Sequence, residues 1–331
     1  MIVSHFENPF SDPAVQPVDP TVMLDWLSRE AVILQSRESE FREQVYLCVR
    51  GRRHPVVSAA RLTEMGFRWP QDVQAAPARL LGSYAPGGIV PRPWADGIAT
   101  ESLTDAMAVR EALASSLSGF GLEIGAGASP FPIPPRCRVM YGDRLTYEQL
   151  CAEPYPGQRL CDLVIPDILT DFDTIENVAD ESLDFLIACH VIEHTRNPIG
   201  SIAAAWRKLK PGGRLVLVVP DKERTFDRDR PVTPIDHLIQ DHASPDHGRD
   251  YRHYEEFFRL AMPIPEFAFA DEVARHFAEG YAIHYHVWTH DSFADMLDHI
   301  DRHVCPWTHV WTHPAVADES SCIEFYAVLV K

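Results

Sequence analysis

Between residues 118 and 220 short apolar runs alternate with helical or looped segments, and this alternation restricts the fold more than any other feature. The runs are Gly121–Ile124, Arg138–Tyr141, Leu160–Ile165, Leu183–Cys189 and Arg214–Val219. A strand that is apolar along its whole length must be covered on both faces, and the intervening helices supply the cover. The expectation is an α/β fold with a doubly wound, mostly parallel sheet. A helix over Leu103–Leu117 leads in. A helix over Asp291–His303 and strands over His309–Thr312 and Cys322–Val330 complete a sheet of seven strands.

A chain of 331 residues is long enough for one large domain or two smaller ones, at roughly 150 residues each. Residues 1–20 read as a loose lead-in. Met23, Leu24, Leu27, Ala31 and Leu34 recur at helical spacing and predict a helix over Thr21–Ser36, with Thr21 as N-cap. Residues 44–58 read as two short strands around a glycine turn, with Arg50-Gly-Arg-Arg-His54 a solvated hairpin, and Ala59–Met65 as a short helix. The division is a small α+β unit over 1–85, a linker and helix over 86–117, and the main domain over 118–331. An insertion rich in His, Asp and Pro spans 221–280. An insertion of that size fits a functional lid better than a plain connection.

Composition excludes several classes. The net charge of −18 disfavours a nucleic-acid backbone or an anionic membrane surface as partner. No run of about 18 apolar residues is present, so no transmembrane helix is expected. The N-terminus lacks the basic start and apolar run of a signal peptide. The seven cysteines are scattered with no CxxC pair, which fits a reducing, cytoplasmic setting.

The most informative segment is Gly121-Leu-Glu-Ile-Gly-Ala-Gly-Ala-Ser129, an apolar strand running into a turn with Gly125 and Gly127. Glycine permits positive φ and a close backbone approach to a ligand. At the carboxyl end of the first strand of such a sheet, this is where nucleotide-like ligands bind. Asp143 ends the next strand, 16 residues after Gly127, where it can accept from both ribose hydroxyls. Asp167 and Ile168 end the third, where a carboxylate can accept from an adenine amino group. The fourth run leads into His190-Val-Ile-Glu193-His194, and Leu209-Lys-Pro-Gly-Gly213 opens the fifth.

This ordered set resembles the class I S-adenosylmethionine-dependent methyltransferases, which have a Rossmann-like sheet. Within them it is similar to the type 11-like subgroup, with its Val191-Ile-Glu-His194 turn and Leu-Lys-Pro-Gly-Gly stretch. The resemblance covers 118–220 strongly and 285–331 more loosely. It implies S-adenosylmethionine as cofactor. Glu123, Gly125, Ala126 and Gly127 would shape the methionine end, Asp143 and Arg144 the ribose end, and Asp167 and Ile168 the adenine end. His190 would face the sulfonium and the acceptor. One departure stands out. The family continues after the turn with a helix, whereas Ser129-Pro-Phe-Pro-Ile-Pro-Pro135 cannot. The Pro220–Pro231 and His284–Trp288 stretches resemble those of bacterial proteins encoded among sugar- and polysaccharide-building enzymes. Residues 44–75 look like a small module of surface-carbohydrate loci.

Fourteen of the sixteen histidines lie between His190 and His313. His190-Val-Ile-Glu-His194 matches an H-x-x-E-H zinc pattern, but that pattern needs a helix and here it follows a strand. His237, His242, His247, His253, His284 and His286, with Asp221, Asp236 or Asp241, could gather a metal, or stand as a solvated loop that titrates near neutrality. His284 and His286 alternate as on a strand. No metal ligand is assigned at this stage. Arg224, Arg228 and Arg230 could bind an anionic acceptor group, or pin the loop through aspartates.

The leading expectation is an enzyme that transfers a methyl group to an oxygen or nitrogen of a small acceptor, a sugar or sugar nucleotide among them. His190 is the first candidate base, then His194 and His237. Arg224, Arg228, Arg230, His284 and His286 are the acceptor-binding candidates. The alternatives are a metal-dependent enzyme on the same fold that uses the histidine cluster, or a non-catalytic S-adenosylmethionine-binding protein. A nicotinamide dehydrogenase fits less well, because the third glycine is missing. The partner expected is a small-molecule acceptor, with no nucleic acid and no membrane; a homodimer is compatible.

Overall fold

A computed structural model describes residues 31–36, 38, 41, 44–49, 51–56, 59–90, 103, 105–134, 136–152, 163–244, 247–316 and 322–331. The chain divides into two compact units, Met1–Ser102 with Met107–Leu169, and Leu103–Ala106 with Thr170–Lys331.

The first unit opens with β1 (Val32–Gln35), β2 (Val45–Val49), β3 (Arg52–Pro55), α1 (Ala59–Glu64), β4 (Val73–Ala75), α2 (Ala78–Gly82) and β5 (Ala85–Pro86). The five strands form one sheet in the order β4-β1-β2-β3-β5. β1 pairs antiparallel with β2, so Ile33 lies opposite Leu47 and Val32 opposite Cys48. Successive residues then serve opposite faces. Ile33 and Leu47 join Val56, Leu62 and Met65 in one apolar cluster, while Leu34 and Cys48 join Phe41 and Leu81 in another. A helix does not form over the described part of Thr21–Ser36. Val32-Ile-Leu are taken into a strand because both faces of that strand find apolar cover. Residues 21–30 lie outside the described residues.

Over the described residues 51–54, the Arg50–His54 run is a hairpin but not a solvated one. Gly51 makes the turn at φ +75°, but Arg53 is buried and donates to the carbonyls of Leu81 and Tyr84. His54 Nδ1 lies 2.8 Å from the Gly88 carbonyl, and burial lowers its pKa to about 4. Gly87 and Gly88 admit these contacts. A Cβ on Gly88 would sit 2.0 Å from the Phe131 carbonyl oxygen, and one on Gly87 2.5 Å from the His54 ring.

The chain then enters α3 (Ala106–Ser115), β6 (Gly119–Ile124), β7 (Cys137–Asp143), α4 (Tyr147–Ala152) and β8 (Ile168–Leu169). The second unit contributes β9 (Leu183–Cys189), α5 (Pro198–Lys208), β10 (Leu209–Pro220), α6 (Ile235–Ala243), α7 (His247–Leu260), α8 (Phe269–Glu279), α9 (His290–His303), β11 (His309–His313) and β12 (Glu324–Val330). A seven-stranded sheet runs in the order β11-β12-β10-β9-β6-β7-β8. β6, β7 and β8 are parallel to one another, as are β9 and β10. β12 runs antiparallel to both β10 and β11. The fold is the mixed α/β, Rossmann-like one expected.

Two expectations change. The third run is no strand over its described residues 163–165; only Ile168–Leu169 pair, beyond Asp167. Residues 160–162 lie outside the described residues, as do 91–102 of the expected linker. The insertion 221–280 is largely helical. α7 and α8 close over an aromatic cluster of Tyr254, Phe257, Phe258 and Phe269, joined by Tyr285. Polar residues dominate this stretch, yet its apolar residues recur at helical spacing and meet between the two helices.

Helix boundaries follow local chemistry. Asn197 caps α5 by accepting from the Gly200 amide at 2.9 Å, with Pro198 at the first helical position. Thr289 and Ser292 form a reciprocal capping box at α9. Among the described residues, no helix is long and apolar enough to cross a membrane.

Candidate functional site

In the first unit the glycine turn follows β6 directly. Gly125 and Gly127 have φ of +72° and +51°, a region where a side chain is strained. The Gly125 amide donates to Gly142 of β7 and Gly127 accepts from Val164, both at 2.9 Å. The turn is thereby tied to the chain on either side. After Ser129 no helix forms; residues 130–134 run without regular structure, as their prolines require.

Glu123 explains how that proline segment is held. Its Oε1 accepts from the Phe131 amide at 2.7 Å, while Oε2 is buried with no hydrogen-bond partner. Burial raises its pKa to about 7, against the opposing Phe131 hydrogen bond and the charges of Arg110 and Arg52. Asp143 ends β7 as expected. Its Oδ1 accepts from the Leu145 amide at 3.0 Å, and burial pushes its carboxyl up. Arg144 beside it is exposed.

Asp167 has a role the sequence did not reveal. Its Oδ2 accepts from the Tyr141 amide at 2.8 Å and pairs with Arg52 at 2.5 Å. The Arg52 guanidinium also lies 4.3 Å from the centre of the Tyr141 ring. Asp167 thus anchors β3 of the small sheet to β7. A cavity of about 580 Å³ opens there, lined by Arg52, His54, Phe120, Met140 and Asp167 among others.

The residues of the glycine turn fit S-adenosylmethionine. An orphaned buried acceptor on Glu123, two left-handed glycines and a strand-end Asp143 suit a ligand that brings a cationic amino group and ribose hydroxyls.

In the second unit His190 stands just past β9, its amide bonded to Val218 at 2.9 Å. Its φ is +53°, which is uncommon for a non-glycine residue and concentrates at functional positions. Its Nε2 lies 2.8 Å from Glu324 Oε2. Glu324 opens β12, opposite Pro220 in register, and its other oxygen accepts from Tyr326 at 3.0 Å. A half-exposed imidazole held by a buried carboxylate is the arrangement of an oriented general base. Glu324 was not among the expected site residues. The signal was present: a carboxylate opens the apolar run Phe325–Val330, as Glu123 stands within the apolar run Gly121–Ile124.

Residues 192–194 form a single 3-10 turn and no helix beyond it. His194 Nδ1 contacts the Ile283 carbonyl at 2.8 Å. Glu193 is buried, with Oε1 3.9 Å from both His190 Nδ1 and His194 Nε2. His237, the third expected base, lies instead among His253, His286 and Asp241.

The three arginines separate. Arg230 is fully buried and committed: Nε to Glu256, Nη1 to Asp227 and the His284 carbonyl, Nη2 to the Tyr285 carbonyl. It pins the loop and has no face left for an acceptor. Arg224 donates to the carbonyls of Val316 and Cys322. Arg228 is exposed. His284 and His286 do not share a strand. Their segment is irregular; His284 Nδ1 pairs with Asp227 Oδ2 at 2.6 Å, whereas His286 is fully buried in the other group. His242 goes elsewhere too, facing the Asn197 side chain at 3.2 Å.

Comparison with known proteins bears on the first of these regions most directly. Residues 122–217 match the family model described as "Methyltransferase domain". The highly reducing polyketide synthase resH of Aspergillus sclerotiorum is 24% identical over 223 residues, which cover 61% of this chain and 9% of that synthase. The chain therefore spans less than a tenth of the length of that curated relative. Weak structural likenesses include the DszA carbon methyltransferase (13% identical, 68% of this chain and 53% of that one, TM-score 0.36). Another is a SAM-dependent methyltransferase, possible histamine N-methyltransferase, of Thermotoga maritima (16% identical, 65% and 83%, TM-score 0.35). The domain match spans β6 with its glycine turn, the strand-end Asp143, the His190 turn and most of β10. Over residues 122–217 this chain is thus similar to a methyltransferase domain.

Proposed function

We propose that the protein methylates a hydroxyl oxygen of a small polar acceptor of the sugar or sugar-nucleotide class. Bound S-adenosylmethionine supplies a methyl group already activated by its sulfonium. Glu123, Asp143 and the backbone of Gly125–Gly127 would hold it. An acceptor hydroxyl must lose its proton as the new bond forms, whereas an amine that arrives neutral needs no base. His190 takes that proton, and Glu324 orients the ring and stabilises the imidazolium. The observation that carries this reading is the 2.8 Å contact between His190 and Glu324. A protein that only bound the cofactor would have no use for an oriented, half-exposed imidazole on a left-handed backbone. The exposed Arg228 offers a cation to an anionic group on the acceptor.

The test combines calorimetry with turnover. S-adenosylhomocysteine should bind the wild type and the His190→Ala variant equally. Turnover of a sugar-nucleotide acceptor by the variant should fall by about 10²–10⁴-fold. Equal turnover by the two proteins would remove His190 as base and favour an amine acceptor. Absence of S-adenosylhomocysteine binding to the wild type would remove the methyl-transfer reading as a whole.

A further inference from the structure

We infer that His237, Asp241, His253 and His286 form a site for one divalent transition-metal ion of the zinc type. The inference is independent of the methyl-transfer reading. Four donors from three separate chain segments converge. His237 and Asp241 sit one turn apart on α6, His253 comes from α7, and His286 from the irregular segment before α9. Asp241 Oδ2 lies 3.0 Å from His237 Nε2, 3.9 Å from His253 Nε2 and 3.9 Å from His286 Nε2. The Nε2 atoms of His237 and His253 are 3.1 Å apart. All four donor atoms fall within 4.8 Å of one another. Metal–ligand bonds of about 2.0–2.1 Å to a tetrahedral ion set ligand–ligand separations of roughly 3.3 Å, and the group brackets that value.

The hydrogen bonds around the group point the same way. Asp241, His253 and His286 are buried. Asp241 Oδ1 is held by Arg249 Nε at 2.5 Å, which aims Oδ2 at the imidazoles. Oδ2 itself is buried and has no well-aligned hydrogen bond, its nearest nitrogen being His237 Nε2 at 3.0 Å. In the contact between His237 and His253 one Nε2 must donate to the other, and His286 Nε2 faces the Arg196 carbonyl at 3.2 Å. Polar side chains this deeply buried normally share their protons with partners that satisfy every atom. Here three imidazole nitrogens crowd an orphan carboxylate oxygen, and a cation at their centre satisfies it.

Three imidazoles and one carboxylate suit zinc and its first-row neighbours, and do not suit magnesium or calcium, which take oxygen ligands. Four protein ligands close a tetrahedral shell, so the ion is structural. It ties α6 and α7 of the insertion to the chain that leads into α9.

The test uses the full chain, purified without a polyhistidine tag and without chelator. Elemental analysis should find about one zinc per chain. The chelated protein should take up Zn²⁺ again in calorimetry, and Co²⁺ should give the visible absorption of a tetrahedral nitrogen–oxygen site. Zinc content should fall to background in Asp241→Ala and His253→Ala. Should either variant fail to fold, His237→Gln, at the most exposed ligand, should still lose at least tenfold in Zn²⁺ affinity. His242→Ala, on the same helix but outside the group, should keep the metal. A wild type that carries no metal and takes up no Zn²⁺ overturns the site. So does uptake that is unchanged in His237→Gln, which would place the metal elsewhere among the histidines. Neither result touches S-adenosylhomocysteine binding, so the two readings fail separately.

Discussion

Two buried carboxylates, one in each unit, meet opposite fates. Glu123 sits in β6 with one amide donor, and burial raises its pKa to about 7, outweighing the Phe131 hydrogen bond and the charges of Arg110 and Arg52. Asp227 is also buried and burial pushes it up, but the hydrogen bond and charge of His284 and the charge of Arg230 outweigh this and hold it below the ordinary value. Burial alone therefore says little about a carboxylate; what decides is whether the chain brings a cation to it. In the glycine-turn region one oxygen of the carboxylate, Glu123 Oε2, is buried without a hydrogen-bond partner. In the insertion, Asp227 is spent internally on Arg230 and His284, and fastens a loop.

The sharpest way to break this comparison is to remove the fastening. Asp227→Ala leaves the guanidinium of Arg230, fully buried, without the buried one of its two carboxylate partners. The expected loss is about 3–5 kcal/mol of stability, read as a large drop in the urea midpoint. A loss under 1 kcal/mol would show that Glu256 and the carbonyls of His284 and Tyr285 suffice for Arg230.

The next effect comes from Glu123. Its folded pKa lies above its ordinary value of 4.5, so the folded state binds the proton more tightly than the unfolded chain. Stability of the ligand-free protein should therefore fall as pH rises from about 4.5 through about 7. The size is on the order of 3 kcal/mol. Glu123→Gln keeps an acceptor for the Phe131 amide and carries no titrating proton, so its urea midpoint should lose that part of the dependence between pH 5 and pH 8. The same slope in both proteins would assign it to other groups.

The smallest effect probes the turn between them in the chain. Gly125→Ala places a Cβ at φ +72° and should cost about 1–2 kcal/mol, with S-adenosylhomocysteine affinity reduced as well. An unchanged melting temperature would mean that the turn relaxes to another conformation.

The contrast also explains what was readable in advance. Leu183–Cys189 was expected as a strand and is one over the same residues. β10 and α9 extend their predicted spans by a few residues. These elements are long, periodic and punctuated by caps. Glu123, Gly125, Gly127 and Asp143 were readable because a strand end fixes where its residues go. Over its described residues the expected Thr21–Ser36 helix is a strand, because Val32–Leu34 suits a strand once two apolar faces are available. Asp167 was expected to end a third strand but precedes the short β8, and its partner Arg52 lies 115 residues away. Glu324 lies 134 residues from His190, and no local pattern connects them.

The histidines show the same limit. Their number pointed to chemistry, yet the even spacing of His284 and His286 suggested a shared direction that the irregular backbone does not provide. Which of six histidines meet was settled by how α6 crosses α7 and where the chain before α9 passes.

The sequence by itself determined the mostly parallel α/β sheet, the glycine turn, the break in helix after Ser129 and the carboxylate at the end of β7. Each of these follows from short-range backbone preference and from burial patterns of fixed period. Only the tertiary structure decided which carboxylate meets which cation. Those contacts act over a few ångströms between residues far apart in the chain, and no periodicity in the sequence encodes that distance.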